Sequence, residues 1–533
     1  MNTLKKYIYP LLITVILAFG ISARLHKIDF GRPLSFLYDE NDIYDQVVRY
    51  AFNYKFIIKQ DGIKGFEPED FVYGTFPTYF LTLATMVLNK YISLSKIEIN
   101  FDFYFVYMRI VTSLFSLLII IFTGLLYKKI FKDKIGIILS ITFTALNWKL
   151  IAHSHYLNHD VYLTTLSLIS TYFFVSYIQE ESKKKYIYLS LSALFLGLAS
   201  NTKITALLIA PILGIILIIR RDWKGIIIAV IGEILFFIIS NPFSIISYQK
   251  FLSRILLMRK LEAGVVFSEV DTNPLKYIKV LFYVLTPFSF LIAIPGVVKP
   301  ITQLFKSPKS IKQDNDLQER ACLSGIILIY IVFFSLNSRL TERWILPIIP
   351  IFIIYSANSF VQIILSNKYR TYAKIIGFFL LLLPNVICTL SLMKQLNMGK
   401  PRVRAYLWLT DYLNKPENSN LKILMYTNKG YRDPFGNIKN CNLEKFNVYE
   451  TRGAGNVFPK NPMEYDIVVS YSYMERNYKN KYVENKYPEY SKAWKNYENT
   501  LKDPYKFFLL NKFETTKLDL LRIPEIYIYQ KVK

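Results

Sequence analysis

The sequence predicts an α-helical polytopic membrane protein that carries a smaller α/β domain at its C-terminal end. Of its 533 residues 53% are hydrophobic, and the mean hydropathy is positive. The apolar residues occur in runs of about twenty, which is the length that crosses a bilayer as a helix. Because these runs stop near residue 398, we predict a membrane domain over residues 1–396 and a C-terminal domain over residues 397–533.

The first apolar run covers about residues 7–23 and follows Lys5 and Lys6, which predicts an anchor with its N-terminus in the cytoplasm. A cleaved signal peptide is the alternative, but no convincing small-residue cleavage site follows the run. Together with this anchor the sequence contains about eleven predicted spans. The others cover residues 104–127, 135–150, 159–178, 186–200, 204–219, 225–240, 277–298, 321–336, 345–362 and 374–393.

The segment Phe76–Leu94 is also apolar, and the positions of the basic residues decide how it is interpreted. If it crosses the membrane, the basic loops face outward, whereas if it does not cross they face the cytoplasm together with the N-terminus. We therefore predict that it is a helix in the outer interface, with a break at Gly74 and Pro77. The basic loops are at residues 128–134, 183–185, 220–224, 299–312 and 368–374.

The C-terminal region begins with a predicted helix, Val403–Leu413, and continues with four short runs typical of strands. These features predict a compact α/β domain on the outer surface. The four runs are Lys422–Tyr426, Tyr465–Ser470, Lys506–Leu510 and Glu525–Gln530.

Charge and cysteine content exclude two other classes of protein. The net charge of +26 comes largely from Lys and Arg residues that flank the spans, so it indicates membrane topology and no nucleic-acid partner. Cys322 and Cys388 lie in apolar runs and Cys441 stands alone, which argues against a disulfide framework. The sequence also has no P-loop and no dinucleotide fingerprint.

With this topology, an acidic pair and several charged residues at helix ends fall on the outer face. Most of them also have a structural interpretation. The acidic pair could lie in a solvated loop and Arg109 could snorkel to the interface, while Asp160 could be a helix cap and Lys203 an ordinary loop residue. Together they fit a site that binds an anionic lipid headgroup and does acid–base chemistry beside it. These residues are Asp39, Glu40, Arg109, Asp160, Lys203 and Arg343.

The turn before Asp160 contains three of the four histidines, His153, His155 and His159. Neutral imidazoles beside a carboxylate are ligands for zinc and similar ions. Their spacing matches no closed structural site, so the polar lining of a cavity is the favoured interpretation. A divalent metal ion held by His155, His159 and Asp160 is the alternative, and no other cofactor is expected.

The order of these motifs resembles the GT-C membrane glycosyltransferases, in the branch that contains the protein O-mannosyltransferases and the lipid A aminoarabinose transferase. The resemblance covers nearly the whole chain, although each motif alone is weak. The outer-domain segments Arg404–Leu409 and Tyr465–Ser470 also fit many prokaryotic members. The membrane motifs are Tyr38-Asp39-Glu40, Tyr107-Met108-Arg109-Ile110-Val111, Ala152–Tyr156 with His159-Asp160, Gly197–Lys203, and Arg343–Pro347 with Pro350.

The resemblance implies transfer of a sugar from a polyprenyl-phosphate donor to an acceptor outside the cytoplasm, with inversion at the anomeric carbon. Asp39 would be the general base, and Glu40 would hold the acceptor or the sugar. Asp160, with the histidines His155 and His159, would orient the sugar or a cation. Arg109, Lys203 and Arg343 would hold the donor phosphate.

The resemblance leaves the sugar and the acceptor open, and the acceptor is a protein, a lipid or a glycan. A multi-pass protein of a prokaryotic cell membrane is expected, and the topology derived from the basic loops places its C-terminal domain outside. A transporter or flippase of lipid-linked sugars is the alternative function, although the sequence contains no internal repeat of spans. A membrane scaffold, whose outer domain binds a partner, would need none of these polar residues.

Overall fold

The structure is a computed structural model of the chain, and it consists of a bundle of long helices and a five-stranded sheet. The described residues are 2–32, 38–69, 71, 73–95, 101–261, 271–306, 314–337, 339–365, 371–418, 420–428, 441–446, 459–472, 475, 478–479 and 481–532.

The bundle is built from helices α1 to α17. Long apolar stretches form helices because a helix satisfies its own backbone hydrogen bonds where no water is available. The bounds are α1 Asn2–Leu25, α2 Tyr38–Gln60, α3 Phe76–Ser95, α4 Phe101–Ile130, α5 Lys134–Leu146, α6 Trp148–Ser154, α7 His159–Gln179, α8 Lys185–Thr202, α9 Ala210–Ile219, α10 Trp223–Ser240, α11 Phe243–Ile246, α12 Tyr248–Leu261, α13 Lys276–Val284, α14 Pro287–Lys306, α15 Asn315–Ser335, α16 Ile349–Ser359 and α17 Thr371–Met398.

Among the described residues, eight helical segments are long and apolar enough to cross a membrane, or nine if α5 and α6 form one bent span. The break of 52° between α5 and α6 is at Asn147, whose side chain caps α6 by accepting from the Leu150 N–H. The two further predicted spans, residues 186–200 and 204–219, correspond to α8 and to a shorter apolar segment that ends with α9. The prediction of eleven spans therefore stays a prediction.

Two predicted elements differ in detail from the structure. The predicted span 277–298 is divided into α13 and α14 at Thr286, which has a φ of 68°. The predicted interfacial helix is present as α3, and it is not among the segments that qualify as spans. Its position relative to the membrane stays a prediction.

The C-terminal region folds as the predicted mixture of helices and strands. The strand order is β2-β1-β3-β5-β4, with β1 parallel to β2 and β3, and β5 antiparallel to β3 and β4. Four strands match the predicted runs, whereas the edge strand β2 and the last two helices were not predicted. The elements are α18 Pro401–Leu413, β1 Ile423–Asn428, β2 Cys441–Phe446, β3 Ile467–Tyr471, α19 Lys481–Lys486, α20 Pro488–Lys502, β4 Phe507–Phe513 and β5 Ile526–Lys531.

The sheet has an apolar core of its own, formed where α18 and α20 pack on β1, β3, β4 and β5. Trp494 of α20 stacks on Tyr478, with ring centroids 5.0 Å apart. Gly399, with a φ of 71°, lies between α17 and α18. This turn lies close to the predicted domain boundary at residue 397, and the boundary itself stays a prediction.

Candidate active site

A fully buried ion pair joins the beginning of α2 to α4. Both side chains of the pair Glu40–Arg109 are 0% exposed, and Nη2 of the arginine lies 2.8 Å from Oε2 of the glutamate. Arg109 Nε donates to Glu40 Oε1 at 2.9 Å, which makes the pair bidentate. Arg109 Nη1 also donates to the carbonyl oxygens of Ile28 and Phe30, at 3.0 and 2.7 Å. The pair therefore fixes the start of α2 against both α4 and the turn that follows α1.

Asp39 lies beside this pair in the chain, as the second residue of α2. Its side chain lies outside the described residues, so its prediction as the general base stays a prediction. The neighbouring Glu40 carboxylate already accepts from Arg109 and from the Leu157 N–H, which lies 2.9 Å from Oε1. This bonding does not favour the expected contacts of Glu40 with a sugar or of Arg109 with a phosphate, and both remain untested.

The turn between α6 and α7 forms one wall of the polar end of the bundle, by which we mean the end where α7 begins and α8 ends. Asn158 caps α7 by accepting from the Val161 N–H at 3.0 Å. The same side chain donates to the carbonyl oxygens of His153 and Tyr156, at 2.6 and 2.9 Å. Since Leu157 of this turn also donates to Glu40, the turn joins the buried pair to the residues that follow it.

A second ionic group lies at the far side of this turn and combines Asp160, Lys203 and Arg343. Lys203 Nζ lies 2.8 Å from one oxygen of Asp160, and Arg343 Nε lies 3.7 Å from the other. The carboxylate is 3% exposed, while the lysine and arginine side chains are 11% and 22% exposed. Asp160 is in the first turn of α7, where the helix dipole also favours negative charge. Three residues that are far apart in sequence thus meet at one place at the polar end.

Tyr73 completes this group and was not predicted. Its ring stacks on that of His159, with centroids 4.4 Å apart, and its hydroxyl accepts from Arg343 Nη2 at 3.2 Å. Lys203 Nζ lies 5.6 Å from the centroid of the same ring. A Cβ on the next residue, Gly74, would lie 1.3 Å from the Asn201 carbonyl oxygen, so only glycine permits this approach. Gly74 was the available signal in the sequence, although it predicted only a helix break.

The predicted histidine ligands have other contacts in the structure. The ring nitrogens of His155 lie 2.8 Å from the Ile151 carbonyl oxygen and 2.9 Å from that of His26. Burial lowers the pKa of His155 to about 4, while the bonds to these two carbonyl oxygens act in the opposite direction. His153 shares a hydrogen bond of 2.5 Å with the Tyr156 hydroxyl. Within the described part of the chain, no group of three or more His, Cys, Asp or Glu side chains is placed to hold a metal ion.

A third ionic group, also not predicted, lies beside the second. Glu342, the residue before Arg343, accepts from Lys149 Nζ at 2.6 Å. Its other carboxylate oxygen lies 2.5 Å from Arg522 Nη2, which belongs to the C-terminal region. Charged residues in an apolar context were the sequence signal for Lys149 and Glu342, but nothing in the local sequence indicated Arg522.

The chemistry that this arrangement permits follows from the second group. Lys203 supplies a compact charge, nearly buried at the polar end, and Arg343 supplies a planar guanidinium that is partly accessible there. Two such cations stabilise negative charge that develops on an oxygen in their reach. The polar end is therefore suited to an anionic headgroup such as a phosphate.

Comparison with known proteins agrees with this description. Residues 98–246, which include Arg109, Asp160 and Lys203, match the family described as dolichyl-phosphate-mannose-protein mannosyltransferase. No significant match was found among curated protein sequences.

The chain is also similar in fold to solved membrane proteins. The archaeal oligosaccharyltransferase AglB from Archaeoglobus fulgidus, in complex with an inhibitory peptide and a dolichol-phosphate, is 13% identical with a TM-score of 0.50, and the match covers 78% of this chain and 59% of that one. ArnT from Cupriavidus metallidurans bound to undecaprenyl phosphate is 14% identical, with a TM-score of 0.46 and coverage of 79% and 82%. ArnT in the apo state is 13% identical, with a TM-score of 0.45 and coverage of 99% and 98%.

The family match and the shared helical fold bear on the predicted fold class. They confirm the predicted fold, a multi-pass helical membrane protein with a small sheet. The match over residues 98–246 and the similar fold support the assignment to the GT-C membrane glycosyltransferases that the sequence motifs indicated.

Proposed function

We propose that this protein transfers a sugar from a polyprenyl-phosphate donor to an acceptor on the extracytoplasmic side of the membrane. The observation that carries the proposal is the convergence of Lys203 and Arg343 on Asp160 at the polar end of the bundle. Since the chain spans 59% of the length of the archaeal oligosaccharyltransferase, the activity is inferred from these residues and from the family, and not from that protein.

Lys203 and Arg343 hold the phosphate of the donor in this proposal. When the bond between the anomeric carbon and the phosphate oxygen breaks, negative charge builds up on the departing phosphate. The two cations stabilise that charge, and Asp160 keeps both of them in place until the ligand binds. Tyr73, whose ring stacks on His159, contacts both Lys203 and Arg343.

Asp39 acts as the general base. It takes the proton of the acceptor hydroxyl while the acceptor oxygen bonds to the anomeric carbon and the phosphate leaves from the opposite face, which inverts that carbon. A carboxylate at the second residue of α2 is also favoured by the positive end of the helix dipole.

We assign a positioning role to the buried pair Glu40–Arg109. Four hydrogen bonds from Arg109, two to Glu40 and two to backbone carbonyl oxygens, hold the start of α2. Because Asp39 is the residue before Glu40, this pair sets the place from which the base acts. A phosphate that reached Arg109 would have to displace these bonds, which supports Lys203 and Arg343 as the phosphate ligands.

The proposal includes the predicted orientation, with the N-terminus in the cytoplasm and the C-terminal domain outside. It rests on the basic loops, which lie at the opposite ends of the helices from Asp160 and Lys203. The acceptor is then a protein, lipid or glycan of the cell envelope, and a prokaryotic cell membrane is the proposed location.

The test uses purified protein in liposomes that contain lipid-linked sugars extracted from membranes and labelled in the sugar. A glycosyltransferase cleaves the sugar–phosphate bond and frees the polyprenyl phosphate, whereas a flippase moves the intact donor to the other leaflet. We expect cleavage by the wild type and its loss in Lys203→Ala, with Lys224→Ala, an exposed lysine at the start of α10, as the matched control. Movement of the donor without cleavage would contradict the proposal.

A further inference from the structure

The connection between β4 and β5 leaves the C-terminal sheet and enters the helical bundle. Leu520 and Ile523 of this connection are buried in the apolar core of the bundle, whereas the two strands contribute to the separate core of the sheet. Near the end of α17, Gln395 Nε2 donates to Asp519 Oδ1 at 2.8 Å. Gln395 Oε1 accepts the backbone N–H groups of Leu520 and Leu521, both at 3.2 Å. Apolar and polar contacts thus fix this connection against the bundle.

Arg522 reaches from the same connection to Glu342. Its guanidinium lies 2.5 Å from the carboxylate, and its side chain is 57% exposed while that of Glu342 is 9% exposed. The backbone of Arg522 has a φ of 50°, in the left-handed region that is unfavourable for any residue other than glycine. Such a conformation persists where the surrounding contacts determine it. Here those contacts are the buried Leu520 and Ile523 on either side.

Glu342 connects this contact to the second ionic group. It is the first residue of a short 3-10 helix, Glu342–Ile348, and Arg343 is the second. One carboxylate oxygen of Glu342 accepts from Lys149, and the other faces Arg522. Because Glu342 is held from two sides, the backbone from which Arg343 extends toward Asp160 is held as well.

We propose that Arg522 is a positioning residue for the donor-phosphate site, which it influences without contacting the ligand. The C-terminal domain, through Arg522 and Glu342, places Arg343 at the distance and orientation that the phosphate requires. This inference rests on the proposed function only for the phosphate-binding role of Arg343. It implies that the domain outside the bundle contributes to donor affinity.

The experiment measures the binding of undecaprenyl phosphate to delipidated full-length protein by native mass spectrometry. We expect Arg522→Ala to weaken binding roughly fivefold, which corresponds to one partly exposed ion pair. Arg522→Lys, which keeps the charge, should restore most of the affinity. Lys517→Ala removes an exposed charge from the same connection and should leave the affinity within about twofold of the wild type. In a Glu342→Gln background, Arg522→Ala should have no further effect.

A second measurement needs no ligand. Hydrogen–deuterium exchange of residues 339–348 in the free protein should be faster in Arg522→Ala than in Lys517→Ala. Unchanged exchange and unchanged affinity in Arg522→Ala would overturn the inference. If the wild type itself failed to bind undecaprenyl phosphate, the proposed function would fail, while the exchange measurement would still decide whether Arg522 positions this segment.

Discussion

The two ionic groups that the turn before α7 connects contain the same kinds of side chains but differ in burial and geometry. The pair Glu40–Arg109 is fully buried and bidentate, with every distance between 2.8 and 2.9 Å. In the other group Asp160 faces two cations from different segments. Lys203 is nearly buried at 2.8 Å, whereas Arg343 is partly exposed at 3.7 Å.

This difference separates a structural role from a ligand-binding one. Binding of a ligand to the buried Arg109 is unfavourable, because the ligand would displace Glu40 and leave a buried charge without a partner. Arg343 is more exposed and lies 3.7 Å from Asp160, so it can exchange this weaker contact for an anionic ligand at lower cost. We therefore expect substitutions in the first group to affect stability and those in the second to affect donor binding.

The largest effect should come from the base that the buried pair positions. Asp39→Asn removes the proton acceptor and should lower the rate of sugar transfer by roughly a hundredfold or more. Labelled sugar transferred per minute by liposomes measures this rate. Asp45→Asn, an exposed carboxylate of the same helix, is the control and should retain transfer. A fully active Asp39→Asn variant would exclude Asp39 as the base.

Substitution of Arg109 and of Arg343 tests the difference in role between the two ionic groups. Arg109→Ala leaves Glu40 buried without its partner and should lower the free energy of unfolding by about 3–5 kcal/mol. Arg343→Ala removes a partly exposed side chain and should cost about 1 kcal/mol or less. Denaturation in detergent, followed by tryptophan fluorescence, gives both values. The reverse order would mean that the two groups had been assigned the wrong roles.

The turn that connects the two groups should respond to pH through His155. Burial lowers its pKa to about 4 in the folded protein, below the ordinary value, so between these values the unfolded chain binds more protons. Stability should therefore fall as the pH decreases from about 6.5 toward 4, by at most about 1.4 kcal/mol per pH unit for this one group. Unfolding measured across this range should show a smaller loss for His155→Gln. If acidification stabilised the wild type relative to that variant, the two carbonyl oxygens would have to outweigh burial.

Much of the fold could be predicted because the physical signals are local. Long apolar runs predict helices, and short apolar runs typical of strands predicted four of the five strands. The edge strand β2 has the sequence Cys-Asn-Leu-Glu-Lys-Phe, in which half of the residues are polar and none is β-branched, so it does not form such a run. The break at Thr286 depends on how α13 and α14 pack, which no local pattern reports.

Residue types and positions indicated the candidate site residues, which stay predictions, but they did not indicate which of these residues contact one another. Residue types do not reveal that Arg109 pairs with Glu40, 69 positions away, while Lys203 pairs with Asp160. The positive charge of Arg109, Lys203 and Arg343 led to the assignment of all three to the donor phosphate. Only the structure shows that Arg109 is fully buried and paired with Glu40. Arg522 was missed because its relevance depends on a contact between distant parts of the chain.

The most direct test of the central claim is the affinity for undecaprenyl phosphate relative to the neutral alcohol undecaprenol. The wild type should prefer the phosphate, and Lys203→Ala and Arg343→Ala should each reduce that preference roughly tenfold, as expected for a lost hydrogen bond to a charged group. Lys224→Ala should leave the preference unchanged. Equal affinity for the two lipids, or a preference that survives both substitutions, would contradict the assignment of Lys203 and Arg343 to the donor phosphate.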